Sequence, residues 1–280
     1  MECGKWSIED WFGVGHGFSQ VVFSLTERPR GIAWGFTRAC WQEWYNFLMS
    51  DSKSAFDAAT PGLIHITIPV GMLQCNCSII GDPVTREALV VDPGDEINRI
   101  LAMIGRHKLT VKAIVSTHAH IDHVGGLSKL HQYTGAPVLM HRDDLPLYQA
   151  MDVQAAFLGV APPELTDIEH LLREGDSLRW GAFEAQVIHT PGHTPGSVCL
   201  YLPKGGGQVV LPAPQLFAGD TLFAGSVGRT DLWGGSMDQI LASLRNKLMQ
   251  LPDETIVHPG HGQGTTIGAE RHTNPFLVEA

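Results

Sequence analysis

From residue 63 onward the chain is cut into apolar runs of strand length that alternate with segments of helical period. That alternation limits the fold more than any other feature of the sequence. LIHITIPV, CNCSIIG and ALVVDPG read as strands. Residues 95–107 read as an amphipathic helix with Ile97, Ile100, Leu101 and Ile104 on one face. KAIVST is a short buried strand, 124–134 a helix, and APVLMH the next strand. Residues 141–175 suggest a helix and a long loop containing Pro162 and Pro163. SLRW, FEAQVIHT, SVCLYLP and QLFAGD follow as strands, 236–250 as a helix, ETIVHPG as a strand and turn, and 265–272 as a short closing helix. No internal repeat of fixed period is visible. Mixed strands with helices outside them predict a layered α/β architecture.

The ends of these strands carry the chemistry. STHAHIDHVGG (116–126) directly follows the buried run KAIVST and places His118, His120, Asp122 and His123 within six positions. A lone histidine is usually surface decoration or a satisfied core residue, and 14 histidines make chance clusters conceivable. Three more strand ends repeat the pattern, however. TPGHTPGS carries His193 after strand 183–189, FAGDTLF carries Asp220 after strand 214–218, and VHPGHG carries His261 after strand 254–257. Loops at strand ends are where α/β proteins place chemistry, so the four loops are expected to converge on one edge. Five histidines and two aspartates exceed the needs of one tetrahedral zinc. They suit two metals sharing a bridge, since neutral imidazole binds Zn or Fe and a carboxylate can span two cations.

Residues 1–60 differ from the rest. They hold Trp6, Trp11, Trp34, Trp41 and Trp44 and six phenylalanines, without a clean period of 2 or 3.6. Only 37–49 could form a short helix, and ATPG then punctuates the chain. A disordered tail is typically poor in aromatics, so part of this Trp-rich N-terminal extension is expected to dock on the following domain, 61–280, or on a second subunit of a homo-oligomer. The alternative is a poorly ordered extension. A net charge of −10 argues against nucleic acid as a partner. No run of about 18 uncharged apolar residues calls for a membrane span, and MECGKWSIEDWF lacks a signal pattern. Five cysteines without scaffold spacing fit a reducing, cytoplasmic setting. Cys75 and Cys77, a C-x-C, read as buried strand residues rather than metal ligands.

THAHIDH, PGHTPGS, AGDTLF and PGHG, in this order, resemble the metallo-β-lactamase superfamily. Within it VDPGDE, GRTDLWGGS and TTIGAERHTNPFL are similar to glyoxalase II-like hydrolases, in the short type that lacks a C-terminal helical domain. The resemblance covers about residues 63–277. It implies an αββα sandwich with a dinuclear site at one edge. By motif match His118, His120 and His193 would hold one metal, Asp122, His123 and His261 the second, and Asp220 would bridge them. The motif selects His261 rather than His258, which is expected to support its loop. His189 is expected to pack or act behind the ligands. His16, His65, His107, His131, His141, His170 and His272 have no supporting motif.

Two divalent transition metals, Zn first and Fe second, would lower the pKa of a shared water from 15.7 towards about 7. No serine or cysteine nucleophile is then required. A thiolate leaves without protonation because a thiol pKa is roughly 8.5, so a small-molecule thioester such as S-lactoylglutathione is the natural substrate. An amide-like leaving group would want a proton donor, for which Asp122 is the candidate. Arg229, nine residues after Asp220, either binds an anionic substrate or pairs with Asp231. The basic residues that help hold glutathione in long glyoxalase II enzymes are missing from a chain ending at Ala280. Rival chemistries on the same motifs are a mononuclear iron persulfide dioxygenase using His118, His193 and Asp220, a lactonase and a β-lactamase. A non-enzymatic alternative is a scaffold that binds a partner through residues 1–60.

Overall fold

The computed structural model describes residues 62–205 and 208–278. The aromatic extension and its candidate helix at 37–49 lie outside the described residues. Residues Ser54–Ala280 form one compact unit.

The strands are β1 (Ile64–Val70), β2 (Cys75–Gly81), β3 (Glu87–Val91), β4 (Thr110–Val115), β5 (Val138–His141), β6 (His170–Leu172), β7 (Ser177–Trp180), β8 (Phe183–His189), β9 (Val198–Leu202), β10 (Gln215–Gly219), β11 (Leu222–Phe223), β12 (Ser226–Val227), β13 (Ile256–Pro259) and β14 (Thr265–Thr266). The helices are α1 (Ile97–Arg106), α2 (Ile121–Val124), α3 (Leu127–Thr134), α4 (Leu145–Gln149), α5 (Met151–Leu158), α6 (Met237–Asn246), α7 (Ile267–Thr273) and α8 (Pro275–Val278). One sheet has the order β1-β2-β3-β4-β5-β6 and the other β14-β13-β10-β9-β8-β7. The first is antiparallel through β1-β2-β3 and parallel from β3 to β6.

Period-2 alternation builds four layers from this sequence. In β3, Ala88 and Val90 join a cluster with Ile97, Ile100 and Ile104 of α1, whereas Leu89 and Val91 face the other sheet. In β9, Val198, Leu200 and Leu202 meet that inter-sheet core. Cys199 of β9 points away, into a third cluster with Ile240 and Leu244 of α6. The three clusters are the helix–sheet, sheet–sheet and sheet–helix interfaces of an αββα sandwich. Burying each large aliphatic side chain contributes on the order of 1.5–3 kcal/mol. CNCSIIG spans β2 as expected, with Cys75 and Cys77 fully buried in the first cluster.

The expected helix at 124–134 is instead two helices, α2 and α3, interrupted at Gly125 and Gly126. The cause is a close approach of the Pro93–Gly94 turn. A Cβ on Gly126 would overlap the carbonyl oxygen of Pro93, and one on Gly94 would overlap that of Asp122. Likewise 236–250 ends as a helix at Asn246 and continues as a 3-10 turn, Leu248–Gln250. Among the described residues no helix is long and apolar enough to cross a membrane.

Candidate metal centre

All four histidine- and aspartate-bearing loops meet at one edge of the sandwich. His118 and His120 lie between β4 and α2, and Asp122 and His123 lie in α2. His193 follows β8, Asp220 follows β10 and His261 follows β13. The first four therefore come from one sheet and the last three from the other.

These side chains form three overlapping triads: His118, His120 and His193; Asp122, His123 and His261; and His118, His123 and Asp220. Within each, the ligand atoms lie within 4.8 Å of one another. The Nε2 atoms of His118 and His193 are 3.2 Å apart, as are those of His123 and His261. Asp220 stands between the first two triads. Its Oδ1 is 3.5 Å from Nε2 of His123, and its Oδ2 is 3.6 Å from Nε2 of both His193 and His261. Oδ2 of Asp122 is 3.2 Å from Nε2 of His261. Gly260 is compelled here, since a Cβ would overlap Oδ1 of Asp220.

The residues behind the cluster fix which nitrogen faces inward. His193 donates from Nδ1 to the Arg229 carbonyl at 2.8 Å, and His261 donates from Nδ1 to the Leu73 carbonyl at 3.0 Å. Nδ1 of His123 donates to Oδ2 of buried Asp92 at 3.0 Å. The Nε2 atoms of neutral His118 and His193 therefore face each other as acceptors, which is repulsive without a cation between them. A tetrahedral ion with Zn–N bonds of about 2.0–2.1 Å holds its ligand atoms roughly 3.3 Å apart, close to the 3.2 Å found here. Nε2 of His120 and Oδ1 of Asp220 are buried without any hydrogen-bond partner. Such orphans are costly, and a divalent ion satisfies both. The residues present thus fit two metal ions.

Charge is distributed to match. Burial, then the neighbouring imidazoles, holds His118 well below the usual histidine range. Burial, with His193 and His123 nearby, pushes His120 down to about 3. Burial also lowers His193. All three are neutral donors at pH 7. Burial opposes charge on His123 and His261, yet the surrounding groups, with carboxylates of Asp220 and Asp122 beside both, raise them. Burial likewise opposes charge on Asp122, and His123 and His261 overcome it, holding the carboxyl below its usual range. Cys75 touches Nδ1 of His123 at 3.4 Å, but burial pushes its thiol up to about 12. It is no thiolate ligand.

The remaining candidates fall outside the cluster. His258 lies in β13, bonds Gln215 Oε1 at 2.8 Å and stacks on Phe217. His189 bonds the Pro195 carbonyl at 2.9 Å and so braces the His193 loop. Its ring stacks on His141 at 4.0 Å and 13°, with Asp143 nearby. Parallel rings keep their lone pairs in parallel planes, which suits a stack better than one shared ion. Arg229 makes a bidentate pair with Asp231, both contacts 2.8 Å, while its backbone carbonyl serves His193.

Three supporting residues carry no sequence motif of their own. Asp92 accepts from Thr117 N and Thr117 Oγ1, each at 2.7 Å, besides His123. Buried Asp144 accepts from Ala119 N, Thr194 Oγ1 and Gly196 N at 2.8, 2.8 and 2.6 Å. It thereby clamps the His118–His120 loop to the His193 loop. Gln154 bonds both Ile121 N and the Ala119 carbonyl. VDPG, read only as part of a wider resemblance, was the one available signal for Asp92.

The cluster opens into a cleft of about 320 Å³ whose walls include Leu73, Phe157, Leu158 and Trp233. Phe157 meets Trp233 edge-on at 5.5 Å, and Trp233 lies 6.3 Å from the His120 ring.

The sequence pattern of the metallo-beta-lactamase superfamily matches residues 70–261. Hydroxyacylglutathione hydrolase GloC of Haemophilus influenzae is 36% identical over 217 residues, which span 75% of this chain and 96% of GloC. BLEG-1 B3 metallo-beta-lactamase superposes with a TM-score of 0.69 at 38% identity, over 76% of this chain and 99% of its own. TTHA1623, solved in a di-iron-bound form, gives 0.65 at 42% identity, over 76% of this chain and 100% of its own.

Proposed function

The chain belongs to the metallo-β-lactamase superfamily, and from that premise we propose that it is a metal-dependent hydrolase that cleaves a thioester, S-lactoylglutathione or a related hydroxyacyl thioester. The observation that carries the reading is the pair of triads joined through Asp220. Similarity to GloC, a hydroxyacylglutathione hydrolase, supports the substrate class.

In this reading His118, His120 and His193 would hold one ion, Asp122, His123 and His261 the other, and Asp220, standing between the triads, would serve both. Divalent ions bound there supply Lewis acidity and bring the pKa of a water from 15.7 towards about 7. The chain's own groups do the rest. Asp92 holds His123 in its ligating tautomer, the Arg229 and Leu73 carbonyls do the same for His193 and His261, and Asp144 keeps the two loops in register. The acyl carbon gains a C–O bond from water and loses its C–S bond, giving an acid and a thiol. With a thiol pKa of roughly 8.5 the sulfur departs without a general acid. None is needed from Asp122, whose carboxyl is held deprotonated. The fold binds divalent metals, and both zinc and iron suit this donor set. The di-iron form of TTHA1623 keeps iron in view.

Elemental analysis of purified protein, combined with turnover of thioester, lactone, β-lactam and persulfide substrates, tests the proposal. Two transition metals per chain and release of thiol from S-lactoylglutathione or another hydroxyacyl thioester are expected. One iron per chain with oxygen uptake on persulfide overturns it, as does β-lactam cleavage without thioesterase activity.

A further inference from the structure

Two further cavities adjoin the metal cleft, and their walls differ in chemistry. One, about 440 Å³, shares Leu73, Ile121, Asp122 and Leu158 with the cleft, and its lining adds Asp95, Lys129 and Glu164. The other, about 340 Å³, shares Gln154 and Trp233 with the cleft. The two have no lining residue in common, so the cleft is what joins them.

The smaller cavity is walled by Pro146 and Leu147 of α4, Ala150, Val153 of α5, Pro195 and Trp233. Its one ionisable residue is Asp143, whose half-exposed carboxylate lies 3.8 Å from Nδ1 of His141. It belongs to the side of the first triad. Pro195 follows His193 by two residues, Gln154 bonds the Ala119 carbonyl beside His120, and Trp233 lies 6.3 Å from the His120 ring. The wall is also built. Gly234 has a φ of +76°, and a Cβ there would overlap Cγ of Pro195, so only glycine lets the Trp233 loop seat on the His193 loop. Gln154 donates to the Leu147 carbonyl at 3.1 Å and ties α5 to α4. Val153 is 52% exposed, and Phe157, edge-on to Trp233, is 65% exposed. Clustered exposure of this kind marks a binding surface.

A hydroxyacyl thioester of glutathione has two unlike arms. Glutathione carries an ammonium and two carboxylates, whereas the acyl group beyond its hydroxyl is hydrocarbon. Charged side chains stand in the larger cavity, and the smaller one offers apolar walls. Hydrocarbon gains by burial against such walls, and an unpaired charge loses by it. A lactoyl group ends in a single methyl and leaves most of the apolar space without contacts.

Resting on the thioesterase reading, we infer that the cavity between α4, α5, Pro195 and Trp233 is the acyl subsite, and that it selects glutathione thioesters whose 2-hydroxyacyl chain is longer than lactoyl. The acyl carbon gains oxygen from water, the C–S bond breaks, and the products are a 2-hydroxy acid and glutathione.

The test uses metal-loaded, full-length protein and the lactoyl, 2-hydroxybutanoyl and 2-hydroxyhexanoyl thioesters of glutathione. The expected result is a kcat/KM about tenfold higher for the hydroxyhexanoyl than for the lactoyl ester, the worth of three methylenes roughly half buried. Val153→Asp, at a half-exposed position that tolerates charge, collapses that ratio towards one. Ala150→Leu, which fills the cavity without charge, does the same. Val84→Asp, on the remote β2–β3 turn, leaves the ratio unchanged. Calorimetric binding of the uncleavable S-(2-hydroxyalkyl)glutathiones, with the carbonyl replaced by a methylene, gives a readout independent of turnover. The 2-hydroxyhexyl compound should bind about tenfold more tightly than the 2-hydroxypropyl one, and both cavity substitutions should remove the difference. A kcat/KM that stays level or falls with acyl length overturns the subsite, as does a length dependence that survives both substitutions. Length-dependent binding without hydrolysis of any ester leaves the subsite standing and overturns the thioesterase reading instead.

Discussion

At the scale of single residues, His258 and His261 differ by three positions and by everything that matters. His261 points its Nε2 at His123, Asp122 and Asp220. His258 points into the sheet and holds Gln215, a buried side chain. His261→Ala is therefore expected to reduce metal content from two ions per chain towards one and to abolish most turnover. His258→Ala should keep both ions and cost about 1–3 kcal/mol of stability, because Gln215 loses its partner. Metal analysis and thermal melting of both variants decide the matter, and the opposite pattern of metal loss refutes the assignment. The expectation that separates these histidines comes from the resemblance, in which the ligand follows the Pro-Gly of PGHG. Asp144 and Gln154 were not legible, and Asp92 only as part of the VDPGDE resemblance. Each binds backbone or side-chain groups far away in the chain, such as Gly196 on Asp144 across 52 residues, and no local spacing encodes such a partner.

At the scale of elements, strand and helix identities followed from periodicity, and the discrepancies lie at junctions. Strands β6, β11, β12 and β14 have two or three residues each, too few to show alternation. The split between α2 and α3 arises from Pro93 and Gly94, about 30 residues earlier, so no window on 124–134 could reveal it. Gly94→Ala tests that junction. Its methyl would overlap the Asp122 carbonyl, and overpacking of this kind costs about 1–3 kcal/mol. Because α2 carries Asp122 and His123, a lower melting temperature should come with fewer metal ions per chain. Full occupancy would show that α2 is positioned otherwise. Asp82, buried in the turn between β2 and β3, joins the two sheets. It accepts from Val84 N and Thr85 N at 2.7 and 3.2 Å, and from Ala182 N, between β7 and β8, at 2.8 Å. Burial opposes its charge, but these N–H groups hold its carboxyl below the ordinary 3.8. A carboxyl with a depressed folded pKa contributes stability that is complete above the unfolded value and lost as pH falls through the folded one. Asp82→Ala should thus destabilise the protein by about 2 kcal/mol at pH 7. The gap from wild type should shrink as pH drops below 3.8. Urea titrations of both proteins at neutral and acid pH measure it, and a gap independent of pH removes the charge from the explanation.

At the scale of the whole molecule, the proposed ligands divide four to three between the two halves of the sandwich. His118, His120, Asp122 and His123 follow the first sheet, and His193, Asp220 and His261 follow the second. Beyond the inter-sheet core, the halves are joined near this edge by hydrogen bonds such as Val198 N to the Thr117 carbonyl and Asn76 N to the Gly260 carbonyl. Ions held by both sets would act as cross-links that exist only in the folded chain. Removing them loses their binding free energy. It also leaves neutral His118 and His193 with facing lone pairs, and the buried Nε2 of His120 and Oδ1 of Asp220 without partners. Binding at one site with free metal at a hundred times its dissociation constant stabilises by about 2.7 kcal/mol. In a domain of this size that is roughly 5–10 °C in melting temperature. Chelation of the purified protein should therefore lower the melting temperature by at least that amount, and restoring metal should recover it in proportion to the logarithm of free metal concentration. Every proposed ligand lies in the unit Ser54–Ala280, so a chain beginning at residue 59 should bind the same number of ions with the same affinity. A melting temperature indifferent to chelation, in protein verified to have lost its metal, would mean that the two halves are held by their apolar interface and these hydrogen bonds and that the ions contribute nothing to the fold.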